Sequence, residues 1–253
     1  MISGYNAQKV PFQIEAAKGN KNISSIYLFG RNTDVDTGAE EYLTDFWAGS
    51  YDFPNTAETF FISSSSPADT SVTIAYRCID ENWNVDDGVI TLNGQTSVEV
   101  PGGPKLRALI AFNGGSVDLA GDVYIYRATT VTAGVPDDLT QVVMHVDPVR
   151  QQSSAALYTV PAGHTAYIVD IAMTVNRNTT GGSADVALNT WAYNGVRRMR
   201  ADLGLQTAGS SSFTKPFDYP IRITEKTDIF LSANVSSNNH DLAGGFQLLL
   251  IKD

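Results

Sequence analysis

The sequence predicts an all-β protein made of two β-sandwich, jelly-roll-like domains and an extended N-terminal arm. Alternating Val, Ile, Tyr, Phe and Thr recur along all 253 residues, between clusters of Gly, Ser, Asn and Asp. Hydrophobic residues make up 43% of the chain, enough for a large core, and charged residues only 17%. The strand signals have the spacing of sandwiches, roughly seven in each half.

Residues 1–22 are predicted to form the arm. The run Val10-Pro11-Phe12-Gln13-Ile14 alternates like an edge strand, where the N–H that proline lacks has no partner to lose. Such arms often dock on a neighbouring subunit, and docking on the arm's own domain fits the pattern equally well. Val10, Phe12 and Ile14 are therefore candidate interface residues.

The first domain is predicted to span residues 23–128. Asn93-Gly94 predicts a hairpin between two of its strands, because both central positions of a type I′ turn need positive φ. A short helix is predicted within residues 40–46. The strand signals lie at residues 23–29, 60–62, 71–79, 88–92, 96–100, 107–112 and 122–126.

Residues 129–150 are predicted to be a linker and residues 151–253 the second domain. A helical turn is predicted to begin near Asp137 and Asp138, and Asn194-Gly195 marks a second hairpin. One continuous sandwich with a long crossover is the alternative to two domains. The strand signals of this half lie at residues 157–160, 165–176, 185–193, 196–200, 213–219, 229–235 and 245–252.

Composition argues against several classes of function. The net charge of −10 repels phosphate backbones and disfavours nucleic-acid binding. Cys78 is the single cysteine, so no intrachain disulfide can form, and its strand context predicts a buried small side chain. The N-terminus lacks the apolar core of a signal peptide, and no window reaches the ~18 apolar residues of a membrane span. We therefore expect a protein made in a cytoplasm, without a membrane partner.

Residue types that carry out catalysis are sparse. His145, His164 and His240 are far apart, and H-E-x-x-H, G-x-S-x-G and P-loop motifs do not occur. Pairs of carboxylates suited to a glycosidase are easily found among 27 acidic residues and indicate little. The prediction is a non-enzymatic protein without catalytic residues or a cofactor. A carbohydrate-active enzyme is an alternative supported only by the acidic and aromatic loops.

One loop has the alternating oxygen donors that a calcium ion requires. It runs from Asn32 to Glu41, and its candidate ligands are Asp34 and Asp36. The match to an EF-hand fails because Gly38 falls one place late and position twelve is Leu43. Asx-type turns explain the same residues. Residues 80–88 carry a similar pattern and are predicted to form a long turn.

Arg197, Arg198 and Arg200 form the one basic cluster in the sequence. On a strand, Arg198 and Arg200 share one face and Arg197 takes the other. The cluster fits either a docking patch for an acidic neighbour or internal salt bridges. Trp47, Trp83 and Trp191 fit either the core or a platform that stacks on sugars.

Three stretches resemble virion structural proteins of tailed bacteriophages, especially marine and cyanobacterial phages. Their order and spacing run along nearly the whole chain. The resemblance implies a non-catalytic part of the virion, assembled in the host cytoplasm, such as a capsid decoration (cement) protein, a head fibre or a tail-associated protein. The stretches are FGRNTDVDTG at 29–38, YTVPAGHTAY at 158–167, and ITEKTDIF at 223–230 followed by AGGFQLLL at 243–250.

A decoration protein that stabilises the phage head is the function we expect from this resemblance. Its partners would be the major capsid protein or other virion proteins. A closed homo-oligomer is expected, and a trimer is favoured because it fits a three-fold axis of a capsid. The alternative is a neck or tail component, or a receptor-binding fibre protein that contacts host surface glycans.

Overall fold

A computed structural model describes residues 22–46, 51, 53–177, 182–206 and 211–253. Within these residues the chain is almost entirely antiparallel β-structure with a single 3-10 turn, Leu139–Gln141, which confirms the all-β prediction. None of the described residues belongs to a helix of the length and apolarity that crossing a membrane requires. The proposed arm, with Val10, Phe12 and Ile14, lies outside the described residues except for Asn22.

Eighteen strands make up the described chain. They are β1 (Ile23–Val35), β2 (Glu41–Tyr42), β3 (Phe61–Ser64), β4 (Thr73–Asp80), β5 (Val85–Thr91), β6 (Val98–Glu99), β7 (Lys105–Asn113), β8 (Val123–Tyr126), β9 (Val131–Thr132), β10 (Val135–Pro136), β11 (Val142–Val146), β12 (Leu157–Thr159), β13 (His164–Arg177), β14 (Ser183–Ala192), β15 (Arg197–Gln206), β16 (Ser211–Ile223), β17 (Thr227–Val235) and β18 (His240–Lys252).

Two sheets form what we call the C-terminal sandwich. Sheet I has the strand order β1-β18-β13-β16, and sheet II has the order β12-β17-β14-β15, with β2 added to β17. Their facing sides contribute to one buried apolar cluster, which includes Ile171 of β13, Phe246 of β18 and Leu188 of β14. Alternate residues of each strand enter this cluster because successive side chains of a strand point to opposite faces.

Two further sheets form what we call the N-terminal sandwich. Sheet III has the order β11-β8-β3-β6 and sheet IV the order β5-β4-β7. Their shared cluster includes Ile62, Ile74, Ile125 and Cys78. Cys78 is fully buried, as expected, and this burial raises the pKa of its thiol to about 12. Strands β9 and β10 pair as a small separate ribbon.

The two sandwiches are closely connected. Tyr42 and Phe230, from sheet II, pack into the apolar cluster of the N-terminal sandwich, whereas Ile79 and Leu109, from sheet IV, pack into that of the C-terminal sandwich. Strand β1, near the start of the described chain, pairs with β18, near its end, in sheet I. The division of the chain into domains at residues 129–150 stays a prediction.

The region predicted to be a linker contains regular structure. Strand β11 pairs with β8 in sheet III, and its five residues are buried. The predicted helical turn is confirmed at Leu139–Gln141, where the side chain of Asp138 accepts a hydrogen bond from the Thr140 N–H. This N-cap is the local contact that an aspartate before a helical turn favours.

The prediction of a helix within residues 40–46 is wrong. Glu41 and Tyr42 form β2 and pair with Ala233 and Ser232 of β17. Leu43 follows and is completely buried. Pairing with an existing sheet and burial of Leu43 therefore override the local helix signal, because tertiary contacts routinely outweigh intrinsic propensity.

The two Asn-Gly signals have different outcomes. Asn194 has φ +54° and lies in the hairpin that joins β14 to β15, as predicted. Asn93 instead precedes a turn in which Gly94 has φ +56° and the Thr96 N–H bonds the Asn93 carbonyl. An isolated antiparallel bridge joins Asn93 to Thr96, but β5 pairs with β4 and β6 pairs with β3, so the turn connects two sheets and the flanking strands do not pair with each other.

Candidate functional site

A polar cleft opens where the loop between β1 and β2 meets β8 and β11. Its volume is about 670 Å³. The cleft lies between the two sandwiches, because β2 belongs to sheet II and β8 and β11 to sheet III. Charged side chains dominate its walls, among them Arg31, Glu41, Asp45, Asp122, His145 and Arg150.

His145 lies at the centre of this cleft and is bound on both sides. Its Nε2 lies 3.0 Å from Oδ1 of Asp122, and its Nδ1 lies 3.5 Å from Oδ2 of Asp45. Burial alone would lower the pKa of His145, but the two carboxylates outweigh burial and raise its pKa to about 9. The imidazole is therefore charged at neutral pH and unsuited to act as a general base there.

The two carboxylates beside His145 differ in environment. Burial raises the pKa of Asp45, whose oxygens are both enclosed and lack a hydrogen-bond donor. The hydrogen bond from His145 lowers the pKa of Asp122, which is more exposed. Asp122 therefore interacts with His145 more strongly, and Asp45 interacts with it from a greater distance. Because Asp45 follows β2 and His145 lies in β11, the group forms an ionic bridge between the two sandwiches.

A second and more buried ion pair joins the same two sandwiches. Arg107 of β7 donates from Nε and Nη2 to the two carboxylate oxygens of Asp228 in β17, each at 3.0 Å. The side chains are 1% and 4% exposed. Thr159 also donates to Asp228 at 2.6 Å, and the guanidinium lies 5.6 Å from the Trp83 ring. Every charged atom of this pair is thus compensated inside the protein.

The predicted calcium ligands take part in turns. The Asp34 N–H donates to the side chain of Asn32, and Asp36 accepts from the backbone N–H of Asn239. The Asp36 N–H donates in turn to Glu41. These contacts are the Asx-type chemistry that is the alternative to a metal. Among the described residues, no group of three or more His, Cys, Asp or Glu is placed to hold a metal ion, and calcium binding at Asp34 and Asp36 stays a prediction.

The structure separates the three clustered arginines. Arg197 forms an internal ion pair with Glu40, and its guanidinium lies 5.1 Å from the Phe230 ring. The geometry therefore favours the internal salt bridge for Arg197. Arg198 is exposed, and Arg200 is exposed while its Nε donates to Thr190 at 2.8 Å. A docking role for Arg198 and Arg200 stays a prediction.

The tryptophans and the other histidines occupy distinct places. Trp83 is buried and packs 4.9 Å from the Tyr193 ring, whereas Trp191 is 40% exposed; Trp47 lies outside the described residues. His164 follows the turn at Gly163 and is half-buried. His240 is buried at the start of β18, with Nδ1 2.6 Å from the Ser237 carbonyl oxygen.

Sequence reasoning did not identify either ionic bridge. The signal that was present is a charged residue inside an otherwise apolar strand, such as Arg107 in β7 or His145 in β11. A charge in such a position needs a partner, because an uncompensated buried charge is costly. The partner cannot be read from the sequence, since Arg107 and Asp228 are 121 residues apart.

The fold and the cleft together define an all-β double sandwich in which buried charges brace the packed sheets. The chain matches no protein-family model and no curated relative. The comparison with solved structures finds viral capsid proteins at low similarity. The VP2 subviral particle of infectious bursal disease virus is 11% identical, with 92% of this chain and 73% of that chain covered and a TM-score of 0.27. The empty top component of cowpea mosaic virus is 12% identical, with 80% and 85% covered and a TM-score of 0.23.

Proposed function

We propose that this protein is a non-enzymatic structural component of a virus particle. The observation that carries the proposal is the bracing of two β-sandwiches by buried ion pairs, with the charged Arg107, Asp228 and His145 all engaged internally. This arrangement fits a structural role better than catalysis, because the buried charged groups pair with each other and hold the sheets together. A particle component must remain folded outside a cell, and this construction suits that demand.

The more specific proposal is a capsid decoration protein that stabilises a phage head. The three stretches that resemble virion proteins of tailed phages support it. In the fold, the first stretch covers the second half of β1 and the loop after it, the second runs from β12 to the start of β13, and the third covers the start of β17 and the central part of β18. These elements all belong to the C-terminal sandwich, so the resemblance concerns a single structural unit. The partner in this role is the major capsid protein.

Copy number in purified particles tests this role. Quantitative mass spectrometry against the major capsid protein is expected to give hundreds of copies, on the order expected when a protein follows capsid symmetry. Particles stripped of this protein should open at lower temperature, and adding the purified protein should restore them. A dozen copies or fewer per particle, or an unchanged opening temperature, would rule decoration out.

Exposed aromatic residues favour a second candidate function, the binding of host surface glycans by a neck, tail or fibre protein. Trp191 and Tyr193 are each 40% exposed at the β14–β15 hairpin, and aromatic faces of this kind can stack on sugars. Binding to host polysaccharide that is lost in Trp191→Ala, but kept in the control Tyr219→Ala, would support this role. An absence of binding at high protein concentration removes it.

A further inference from the structure

The outer face of sheet I is unusual for a sheet side that faces solvent. Residues directly opposite each other across the strands share a face, and one such row runs from Phe29 through Gly245 and Ala172 to Thr214. The next row begins at Tyr27. An antiparallel sheet with one solvated side normally alternates apolar inward and polar outward residues. Here the outward side adds aromatic and small apolar residues to polar ones, since the Tyr27 row continues through Gln247 and Asp170.

Charge is scarce on the central part of this face. Between the rows of Ser25 and Arg31, the outward positions of β1, β18 and β13 include one carboxylate, Asp170, whose pKa is raised by burial. The rim is charged: Arg31 is paired to Asp241 by two hydrogen bonds of 2.7 and 2.5 Å. A centre with few charged residues on these three strands and a charged rim is compatible with the composition of a protein–protein interface. Such a centre also places few like charges in direct contact, although each chain carries a net charge of −10.

The face has a raised part and a recessed part beside it. Tyr27 and Phe29 form the ridge; their rings are stacked with centroids 6.5 Å apart, and they are 57% and 36% exposed. The adjacent trough has a volume of about 290 Å³ and a floor of small residues that includes Ala172 and Gly245, and Arg31 and Arg150 also line it. A side chain at Gly245 is excluded because a Cβ there would lie 2.3 Å from the Leu28 carbonyl oxygen. The floor therefore stays low beside the aromatic ridge.

The size and shape of the face fit a second copy of this chain. Three strands of sheet I are 13 residues long and β13 has 14, so the face measures about 43 by 19 Å, or roughly 800 Å². That is about the area that each partner contributes to a stable interface. A ridge beside a trough on one face is self-complementary under a two-fold rotation, which places each ridge in the opposite trough.

We propose that two copies of this protein associate through the outer faces of sheet I, with Tyr27 and Phe29 of each copy seated in the trough of the other. The pairing goes beyond the proposed particle role, since it names the surface through which copies meet. It does not depend on that role, because a dimer in solution is expected whether or not the protein decorates a capsid.

Sedimentation velocity over a concentration series tests the pairing directly. The unmodified protein is expected to be a dimer, and Tyr27→Glu should weaken dimerisation by ~30-fold or more, the effect of losing an interface hot spot. Val89→Glu is the matched control, because Val89 is 62% exposed on β5, outside sheet I. Circular dichroism melts establish that both variants remain folded.

Cysteine cross-linking tests the ridge-in-trough arrangement independently. A mixture of Phe29→Cys and Ala172→Cys chains should form a covalent dimer under mild oxidation, whereas either of them mixed with Val89→Cys should not. Native Cys78 does not interfere because it is fully buried. A monomeric unmodified protein, an oligomer that Tyr27→Glu leaves intact, or a trimer would each overturn the two-fold pairing. If the protein is a monomer, the face would be covered by another virion protein or by residues 1–21. Deletion of residues 1–21 would distinguish these two cases.

Discussion

Removal of one charge from the Arg107–Asp228 pair should be far more costly than removal of an exposed charge. In Asp228→Ala, Arg107 keeps its position at 1% exposure but loses both hydrogen bonds to the carboxylate. Breaking a buried pair in this way costs about 3–5 kcal/mol, because one charge stays buried without compensation. Thr159 also loses its acceptor, which adds to the loss.

The chain contains a well-matched control for this prediction. Arg77 and Asp87 form a pair of the same bidentate geometry, with distances of 2.6 and 2.8 Å, but their side chains are 41% and 53% exposed. Exposed pairs contribute about 0–1 kcal/mol because water already solvates both charges. Asp87→Ala should therefore change the free energy of unfolding by no more than about 1 kcal/mol.

Urea unfolding followed by tryptophan fluorescence measures both variants. Trp83 lies against the Arg107 guanidinium and reports on the same region. The slope of free energy against urea should be unchanged, so that the shift in midpoint reflects stability alone. The reasoning is refuted if Asp228→Ala loses no more stability than Asp87→Ala.

Three further outcomes are expected. Folding raises the pKa of His145 from 6.5 to about 9, so protonated His145 stabilises the folded state by about 3 kcal/mol. This stabilisation is complete below pH 6.5 and is lost as the pH rises through 9. The urea midpoint should therefore fall across this pH range, and it should fall less in His145→Gln. Cys78 should resist iodoacetamide until the protein unfolds, since burial raises its pKa to about 12; modification of the native protein would contradict its placement. Gly30→Ala should destabilise strongly, because a Cβ would lie 1.8 Å from the Leu43 carbonyl oxygen, whereas Gly204→Ala should not; thermal melts that rank them otherwise would contradict the packing.

Local signals in the sequence predicted local structure well. Alternation located most strands, and the Asn194 turn was recognised because a hairpin of adjacent strands is encoded within a few residues. The turn at Asn93 shows the limit of that reasoning. Gly94 specifies a tight turn in either case, but which sheet each flanking strand joins depends on distant partners, here β3 and β4.

Long-range pairing was beyond the reach of sequence patterns. Pairing with β18 places residues 23–35 in a sheet with the C-terminal strands. Neither strand has a sequence pattern that identifies the other as its partner. The same is true of the cleft, whose central ionic group draws on Asp45, Asp122 and His145. Each of these residues appears ordinary in its own segment, and only the packing of two sandwiches brings them together.

The pairing of the first described strand with the last has a consequence during synthesis. Ile23 lies opposite Ile251, so sheet I cannot close until residue 251 has left the ribosome. The N-terminal sandwich draws its strands from residues 61–146, although its apolar cluster also takes Phe230 from β17. Translation that stops short of β18 would leave two long strands, β1 and β13, without their common neighbour. Unfinished chains would thus expose unpaired strand edges, which favour association with other chains.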